Sequence, residues 1–176
     1  VETGWDAVLQ EAKAAGIPVI LSDRLVVVED ESLYTCWVGS DFEEEGRIAG
    51  RWLRDYLEDQ GRGSDEIRIV TLQGTLGSSA QIGRTEGFDE ILAAQGNWNM
   101  LERMSGDFTL TKGREVMEYF LDTYEDIDVV VCENDNMAFG AIEAIQDAGK
   151  TCGPDGDMIL ISFDAAKSAF EAMQRG

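Results

Sequence analysis

The segment IRIVTLQGTLGSSAQIGRTEGFDEIL (67–92) decides the fold. It begins with the apolar run 67–73, which is typical of a strand buried on both faces. A loop of Gly, Ser and Thr follows at 74–79, and the apolar residues of 80–94 then recur with a helical period. A strand, a loop and a helix in this order predict one βα unit of a parallel sheet.

The same alternation continues over the whole chain. Strands are predicted at 17–22, 33–39, 67–73, 98–104, 127–132 and 158–163. Helices are predicted at 4–15, 42–59, 80–94, 110–124 and 136–148, with a last one after the final strand. This pattern predicts an α/β fold in which a parallel sheet is sandwiched between helices.

Composition excludes several classes of protein. With 176 residues, 44% of them hydrophobic and 28% charged, the chain can form a packed core and is not intrinsically disordered. Its formal net charge of −21 repels nucleic-acid phosphates and anionic lipid headgroups. Its apolar runs are far shorter than a membrane span. We therefore expect neither a nucleic-acid partner nor a membrane surface.

The reactive side chains are few. Histidine is absent, which removes the commonest general base and the commonest metal ligand. Cys36, Cys132 and Cys152 form no CxxC pair and leave the redox compartment open, and Cys132 is expected to be a small buried core residue. No activated serine, cysteine or lysine is evident. The sequence therefore predicts no metal, no cofactor, and binding rather than catalysis.

Candidate binding residues follow the predicted strands. Open parallel sheets bind ligands beyond the carboxyl ends of their strands. The candidates placed there are Asp23, Arg24, Arg84, Phe108, Asn134, Phe163 and Asp164. Carboxylate, guanidinium and amide groups match adjacent sugar hydroxyls, and aromatic rings cover the apolar face of a sugar ring. These residue types predict a carbohydrate site.

Some candidates have simpler explanations. Asp164 could cap the last helix, and Arg84 could pair with a surface glutamate of its own helix. Asn134 and Asp135 are both good N-cap residues, so one is expected to cap while the other binds, and Asn134 is favoured as the binder. Phe108 could be ordinary core. The loop GTLGSS lacks the lysine of a P-loop, which argues against a nucleotide site.

Asp23 and Arg24 have an alternative of their own, because neighbouring opposite charges at a strand end can form a local ion pair. The sequence leaves both this structural interpretation and the binding one open.

Five stretches carry a family resemblance. They are ETGWDAVLQEAKAAGIPVILSDR (2–24), LQGTLGSSAQIGRTEGF (72–88), SGDFTLTKGREVMEYF (105–120), ENDNMAFGAIEAIQDAG (133–149) and ISFDAAKSAFEAM (161–173). With these stretches in this order, the chain resembles the type I periplasmic sugar-binding proteins of the ribose and galactose group. Within that group it is most similar to the members that bind galactofuranose.

The resemblance implies two α/β lobes that close on one sugar. It implies ligand contacts from an Asp-Arg pair, the Arg of RxxGF, the aromatic of a GDF loop, the Asn of ND and the Asp of FD. These fall on Asp23, Arg24, Arg84, Phe108, Asn134 and Asp164. Phe163 is expected to add a second apolar contact. Ala165 stands where the family often has glycine, so the local backbone is expected to differ.

The resemblance also divides the chain. Residues 1–40 resemble the end of the N-terminal lobe with its crossover, and residues 41–176 resemble most of the C-terminal lobe. The expected fold is a type I periplasmic binding protein truncated to one nearly complete lobe plus part of the other.

The sequence is compatible with three functions. The resemblance implies the solute-binding protein of an ABC-type sugar importer: extracytoplasmic in the periplasm or a cell-surface lipoprotein, monomeric, and partnered by a monosaccharide and a membrane permease. The effector domain of a LacI-type transcription regulator shares the fold, although the TGW and GDF stretches favour the receptor. A sugar-processing enzyme using Asp23 with Asp164 is the third. Ribose, fructose, arabinose and galactose all remain possible ligands.

Overall fold

The apolar runs of the sequence form parallel strands in the computed structural model, which describes residues 2–153 and 155–175. The strands are β1 (Ile20–Ser22), β2 (Cys36–Val38), β3 (Ile67–Gln73), β4 (Trp98–Ser105), β5 (Val129–Cys132) and β6 (Ile159–Ile161). The helices are α1 (Asp6–Ala14), α2 (Phe42–Asp59), α3 (Ser79–Ala93), α4 (Leu110–Thr123), α5 (Asp135–Asp147) and α6 (Lys167–Met173). Within these described ranges, no helix is both long and apolar enough to cross a membrane.

The strands lie in two sheets. The larger has the order β4-β3-β5-β6 and the smaller pairs β1 with β2, and every pairing is parallel. Alternate residues of the central strands face opposite helices. Val70 and Val130 pack with α4 and α5, whereas Ile69 and Val129 pack with α2 and α3. The predicted sandwich of a parallel sheet between helices is thereby confirmed.

Side-chain caps start the helices at the carboxyl edge of the large sheet. Ser78 accepts a hydrogen bond from the Gln81 amide at the start of α3, and Thr109 accepts one from the Lys112 amide at the start of α4. Each cap satisfies a backbone N–H that the first helical turn leaves unpaired. The loops of this edge are therefore held in place where the candidate residues stand.

Cys132, at the end of β5, is fully buried, as predicted. Burial raises the pKa of its thiol above the ordinary value, because a buried thiolate is poorly solvated.

One apolar face of α2 is open. The sequence places Ile48 and Trp52 on the same face as Leu53, yet they are 54% and 47% exposed. They line a groove with Phe139 and Met173 beside β6, and nothing in the described part of the chain covers this groove. The groove lies at the edge of the larger sheet, where β6 has no neighbouring strand on its outer side.

The two sheets fall on either side of residue 41. The first 40 residues hold the two-stranded sheet, and the four-stranded sheet comes later in the chain. Hydrogen bonds join the two parts: the Leu25 amide donates to Ser79 Oγ at 3.2 Å, and the Ser79 amide donates to Glu2 Oε1 at 3.1 Å. The assignment of the two parts to two lobes stays a prediction.

Candidate functional site

A cleft of about 490 Å³ lies beyond the carboxyl ends of the strands. Its lining includes Asp23 after β1, Arg84 of α3, and Phe163 and Asp164 after β6. These four predicted residues come from distant parts of the sequence. They meet here because parallel strands deliver their following loops to one edge of the sheet.

Arg84 is the best-held polar group of the cleft. Its side chain is 5% exposed, Nε donates to Glu45 Oε2 at 2.9 Å, and Nη2 donates to Asp164 Oδ1 at 3.0 Å. Nη1 donates to the main-chain oxygen of Glu133. The alternative in which Arg84 pairs with a surface glutamate of its own helix is wrong, because α3 packs closely on α2 and turns this side chain inward toward Glu45.

Two aromatic rings flank the same guanidinium. Its Cζ lies 4.9 Å from the ring centroid of Phe163 and 5.3 Å from that of Phe42. A cation over an aromatic face is attracted by the ring quadrupole. Arg84 is therefore fixed by charge and by ring contacts before any ligand arrives.

The loop that carries Asp164 has an unusual backbone. Asp164 and Ala165 have φ angles of 91° and 53°, in the left-handed region, which costs about 1–2 kcal/mol for a residue with a Cβ. Asp135 stabilises this turn by accepting from Ser162 Oγ and, at 2.7 Å, from the Ala166 amide. The positive φ explains why glycine suits the position of Ala165.

Asp164 does not cap the last helix. The N-cap of α6 is Ala166, which makes no side-chain cap hydrogen bond, whereas the Asp164 carboxylate turns to Arg84. The left-handed turn points this carboxylate into the cleft, so the capping alternative is wrong.

Phe108 stands on a second left-handed turn. Asp107 and Phe108 have φ angles of 51° and 59°. Ser105 Oγ supports the turn by accepting from the Asp107 amide at 3.2 Å. Phe108 is half-buried, and Arg24 Cζ lies 5.3 Å from its ring centroid. The ring is a platform at a loop, and it also packs against the hydrophobic core, so the core interpretation is partly correct.

The capping and binding roles are not divided between Asn134 and Asp135 as the sequence predicted. Asn134 Oδ1 caps α5 by accepting from the Met137 amide at 2.9 Å, and its Nδ2 donates to the Phe108 main-chain oxygen at 3.2 Å. Asp135 supports the Asp164 turn. The favoured binder is thus also the cap, and its contact with a ligand stays a prediction.

Asp23 and Arg24 do not pair with each other among the ion pairs of the described residues. Asp23 has a φ of 67°, and its main-chain oxygen accepts from Trp37 Nε1 at 2.8 Å. This turn sends Asp23 into the cleft and Arg24 over Phe108. The ion-pair alternative is wrong because the turned backbone separates the two side chains.

The seven predicted residues form two linked groups. Asp23, Arg84, Phe163 and Asp164 line the cleft, and Arg24, Phe108 and Asn134 are joined by their own contacts. Glu133, which directly precedes Asn134, links the two groups. Its main-chain oxygen accepts a hydrogen bond from Arg84. The structure therefore brings all seven to one edge of the molecule.

Three further residues belong to this site and are not among the seven predicted binding residues. Phe42 and Glu45 stand in the first turn of α2, where no sequence signal tells which side faces Arg84. Glu133 had a signal: a glutamate directly after the all-apolar strand Val129–Cys132. Glu133 is 1% exposed, and a carboxylate as buried as this needs hydrogen-bond donors.

Burial raises the pKa of Glu133 to about 7. The hydrogen bonds from Thr85 and the Gly74 amide, together with the charges of Arg84 and Arg103, lower this pKa but do not outweigh burial. No cluster of His, Cys, Asp or Glu suited to a metal ion occurs in the residues that the structure describes. The arrangement as a whole offers charged hydrogen-bonding groups and aromatic faces.

Replacing Gly74 with alanine should disturb the Phe108 platform. A Cβ on Gly74 would lie 1.9 Å from Phe108 Cζ, so the ring must move. If Phe108 stacks on a sugar, we expect roughly tenfold weaker binding, because an aromatic contact contributes about 0.5–1.5 kcal/mol. Calorimetric titration of the full-length protein measures the change. Thr75→Ala is the control, and unchanged affinity in Gly74→Ala would contradict the role of Phe108.

The chain belongs to the periplasmic binding protein family, since the family model described as periplasmic binding protein domain matches residues 2–176. It is 41% identical over 179 residues to the galactofuranose-binding protein YtfQ of Escherichia coli K12, across 100% of this chain and 54% of that protein. The chain thus spans about half the length of this curated relative.

Two solved structures are similar over the whole chain. One is from Mycobacterium smegmatis in complex with β-D-fucofuranose, with a TM-score of 0.93, 44% identity, and coverage of 100% of this chain and 56% of that one. The other is the periplasmic binding component of the arabinose ABC transporter of Shewanella sp. ANA-3, bound to α- and β-L-arabinofuranose. Its TM-score is 0.91 at 43% identity, with the same coverage.

Proposed function

We propose that this chain is the larger part of a soluble receptor that binds a monosaccharide for an ABC-type importer. The observation that carries the proposal is Arg84, a buried guanidinium that lines the cleft, is held by two carboxylates and is flanked by two rings. Such an arrangement suits a neutral ligand with adjacent hydroxyls and apolar C–H faces.

Each predicted residue then has a role. Arg24, Arg84 and Asn134 would donate to sugar oxygens, and Asp23 and Asp164 would accept from sugar hydroxyls. Phe108 would stack on one face of the ring, and Phe163 would add an apolar contact. The contacts found among the described residues use three of the five N–H groups of Arg84, so further donors remain for a ligand.

The ligand is a pentose or hexose in its furanose form. This part of the proposal is supported by the relatives, which bind galactofuranose, β-D-fucofuranose and L-arabinofuranose. A furanose ring is small and carries several hydroxyls, and the cleft lining includes hydrogen-bonding groups (Asp23, Arg84 and Asp164) and aromatic rings (Phe42 and Phe163).

The receptor would work outside the cytoplasm as a monomer that a membrane permease recognises. The Escherichia coli and Shewanella relatives named above are binding proteins, which favours this function over the LacI-type regulator and over an enzyme. The carboxylate pair of the enzyme hypothesis is further weakened because Asp164 is held by Arg84. Recovery in the extracytoplasmic fraction would support the receptor, whereas retention on operator DNA would support the regulator.

Thermal shift with a sugar panel tests the proposal. The full-length protein is heated with L-arabinose, D-galactose, D-fucose, D-ribose or D-fructose. A sugar that binds only the folded state at a hundredfold excess over Kd stabilises it by about 2.7 kcal/mol, which shifts Tm by several degrees. A shift with one or two of these sugars is expected. No shift with any of them at millimolar concentration would overturn the proposal.

A further inference from the structure

We propose that Glu133 is a positioning residue whose ionised carboxylate holds the sugar-binding loops in place, so that sugar affinity falls when Glu133 is protonated. The inference rests on the proposed function, and it concerns a residue that the carbohydrate-contact set does not contain. It follows from the hydrogen bonds of a buried carboxylate.

The carboxylate of Glu133 joins two segments. Oε2 accepts from the Gly74 amide at 2.7 Å, and Oε1 accepts from Thr85 Oγ1 at 2.6 Å. Gly74 belongs to the loop after β3, and Thr85 lies in α3 directly after Arg84. The Glu133 carboxylate therefore ties the β3 loop and α3 to the end of β5.

The pattern of donors requires an acceptor at both oxygens. Thr85 Oγ1 already lies 2.9 Å from Gln73 Nε2 and 3.2 Å from Gln81 Nε2, which are both donors. The hydroxyl proton of Thr85 must then point to Glu133, and the Gly74 N–H can only donate. A proton on the Glu133 carboxyl would find no acceptor in this network, so the observed geometry fits the ionised form.

Both contacts reach the binding groups. Gly74 packs so closely on the Phe108 ring that even a methyl group would collide with it. Glu133 also accepts from Arg84 through its main-chain oxygen. Loss of the carboxylate contacts would loosen the Gly74 loop next to the Phe108 platform. It would also loosen the helical turn of α3 that carries Arg84.

The charged groups around Glu133 come from every neighbouring element. They are Arg84 and Asp89 of α3, Arg103 of β4, Asp135 of α5, Asp164 after β6, and Glu45 of α2 through its bond to Arg84. Arg103 pairs with Asp89, and Arg84 pairs with Glu45 and Asp164. Each cation is therefore partly neutralised by other acids and attracts the Glu133 carboxylate less strongly. Burial therefore outweighs their attraction, and the pKa of Glu133 in the sugar-free protein lies at about 7.

The direction of the pH effect follows. With a pKa of about 7, roughly nine-tenths of Glu133 is ionised at pH 8 and about one-tenth at pH 6. If only the ionised form holds the loops, the apparent affinity falls by about tenfold between these pH values, because the competent fraction falls by that factor.

The experiment measures Kd by calorimetry at pH 8 and pH 6 in full-length wild-type protein, Glu133→Gln, Thr85→Val and the surface control Glu118→Gln. L-Arabinose and D-galactose are the probes. We expect about tenfold weaker binding at pH 6 in wild type and Glu118→Gln, and weak binding at both pH values in Glu133→Gln. Thr85→Val removes one donor to the carboxylate, so its midpoint should move to higher pH.

A carbon-13 label on the Glu133 carboxyl gives a second readout. Its titration midpoint should lie near pH 7 without sugar and fall by about one unit or more when sugar is saturating, by linkage. A Kd that changes less than twofold with pH in wild type, or equally in Glu133→Gln, overturns the inference. If neither sugar binds wild-type protein at either pH, the proposed function fails and this role fails with it.

Discussion

Replacing Arg84 with alanine should weaken sugar binding by about a hundredfold or more, the largest loss expected from any single side chain of the cleft. The change removes a donor to the ligand and also leaves Asp164 and Glu45 without their buried partner. Hydrogen bonds to charged groups contribute about 1.5–3 kcal/mol, and a hundredfold loss corresponds to about 2.7 kcal/mol. Calorimetric titration of the full-length protein with the best sugar of the panel measures it.

Two variants separate binding from folding. Arg84→Lys keeps the charge but presents its N–H donors from one nitrogen instead of a planar fork, so its affinity should lie between those of wild type and the alanine variant. Arg114→Ala removes an arginine that is 40% exposed and whose ion pairs among the described residues are with exposed acids of α4 and α5, so it should leave affinity unchanged. Denaturant unfolding of all three checks the fold. An Arg84→Ala protein that is folded and binds within threefold of wild type would falsify the assignment of this site.

Replacing Gly87 with alanine should lower the free energy of unfolding by about 3 kcal/mol. A Cβ there would lie 1.9 Å from the main-chain oxygen of Glu43 and 2.9 Å from the Arg47 amide nitrogen. These are backbone atoms of α2, which cannot rotate aside, so the two helices must separate. The gain in helix propensity, about 1 kcal/mol, offsets only part of this cost.

Gly96→Ala is the matched control. Gly96 stands in the exposed turn after α3, and a Cβ there meets no atom within 4 Å. Denaturant midpoints should therefore differ little between wild type and Gly96→Ala. Separation of the helices in Gly87→Ala should also lengthen the contact between Arg84 and Glu45 and weaken sugar binding. Equal stability of the two alanine variants would show that the close packing of α2 and α3 at Gly87 does not contribute to the free energy of unfolding.

The fold could be predicted because its signals are local. The bounds of β3 and α2 match the predicted ranges, since both are bordered by clear turn or capping residues. The runs at 17–22, 33–39 and 158–163 form strands of three residues each, shorter than predicted. Each of these short strands pairs with a neighbour on one side only, so fewer of its residues are held in the ladder.

The predicted site residues lie at one edge of the sheet because the rule of strand ends depends only on the order of elements. Their particular contacts did not follow from that rule. The partner of Arg84 on α2 depends on the crossing of two helices, which the glycines at 46 and 87 permit. The turn of Asp164 away from α6 depends on Asp135, a residue that the sequence offered only as a possible cap.

By itself the amino-acid sequence determined the α/β class, the parallel strands, and the edge where two carboxylates, two arginines, an asparagine and aromatic rings lie. These depend on hydrophobic periodicity and chain order, which are local properties. Only the tertiary structure decided that Arg84 is buried between Glu45 and Asp164, and that Glu133 lies beneath the loops as a carboxylate with two donors. Those contacts join residues far apart in the chain, and burial, which sets their strength, exists only once the helices have packed.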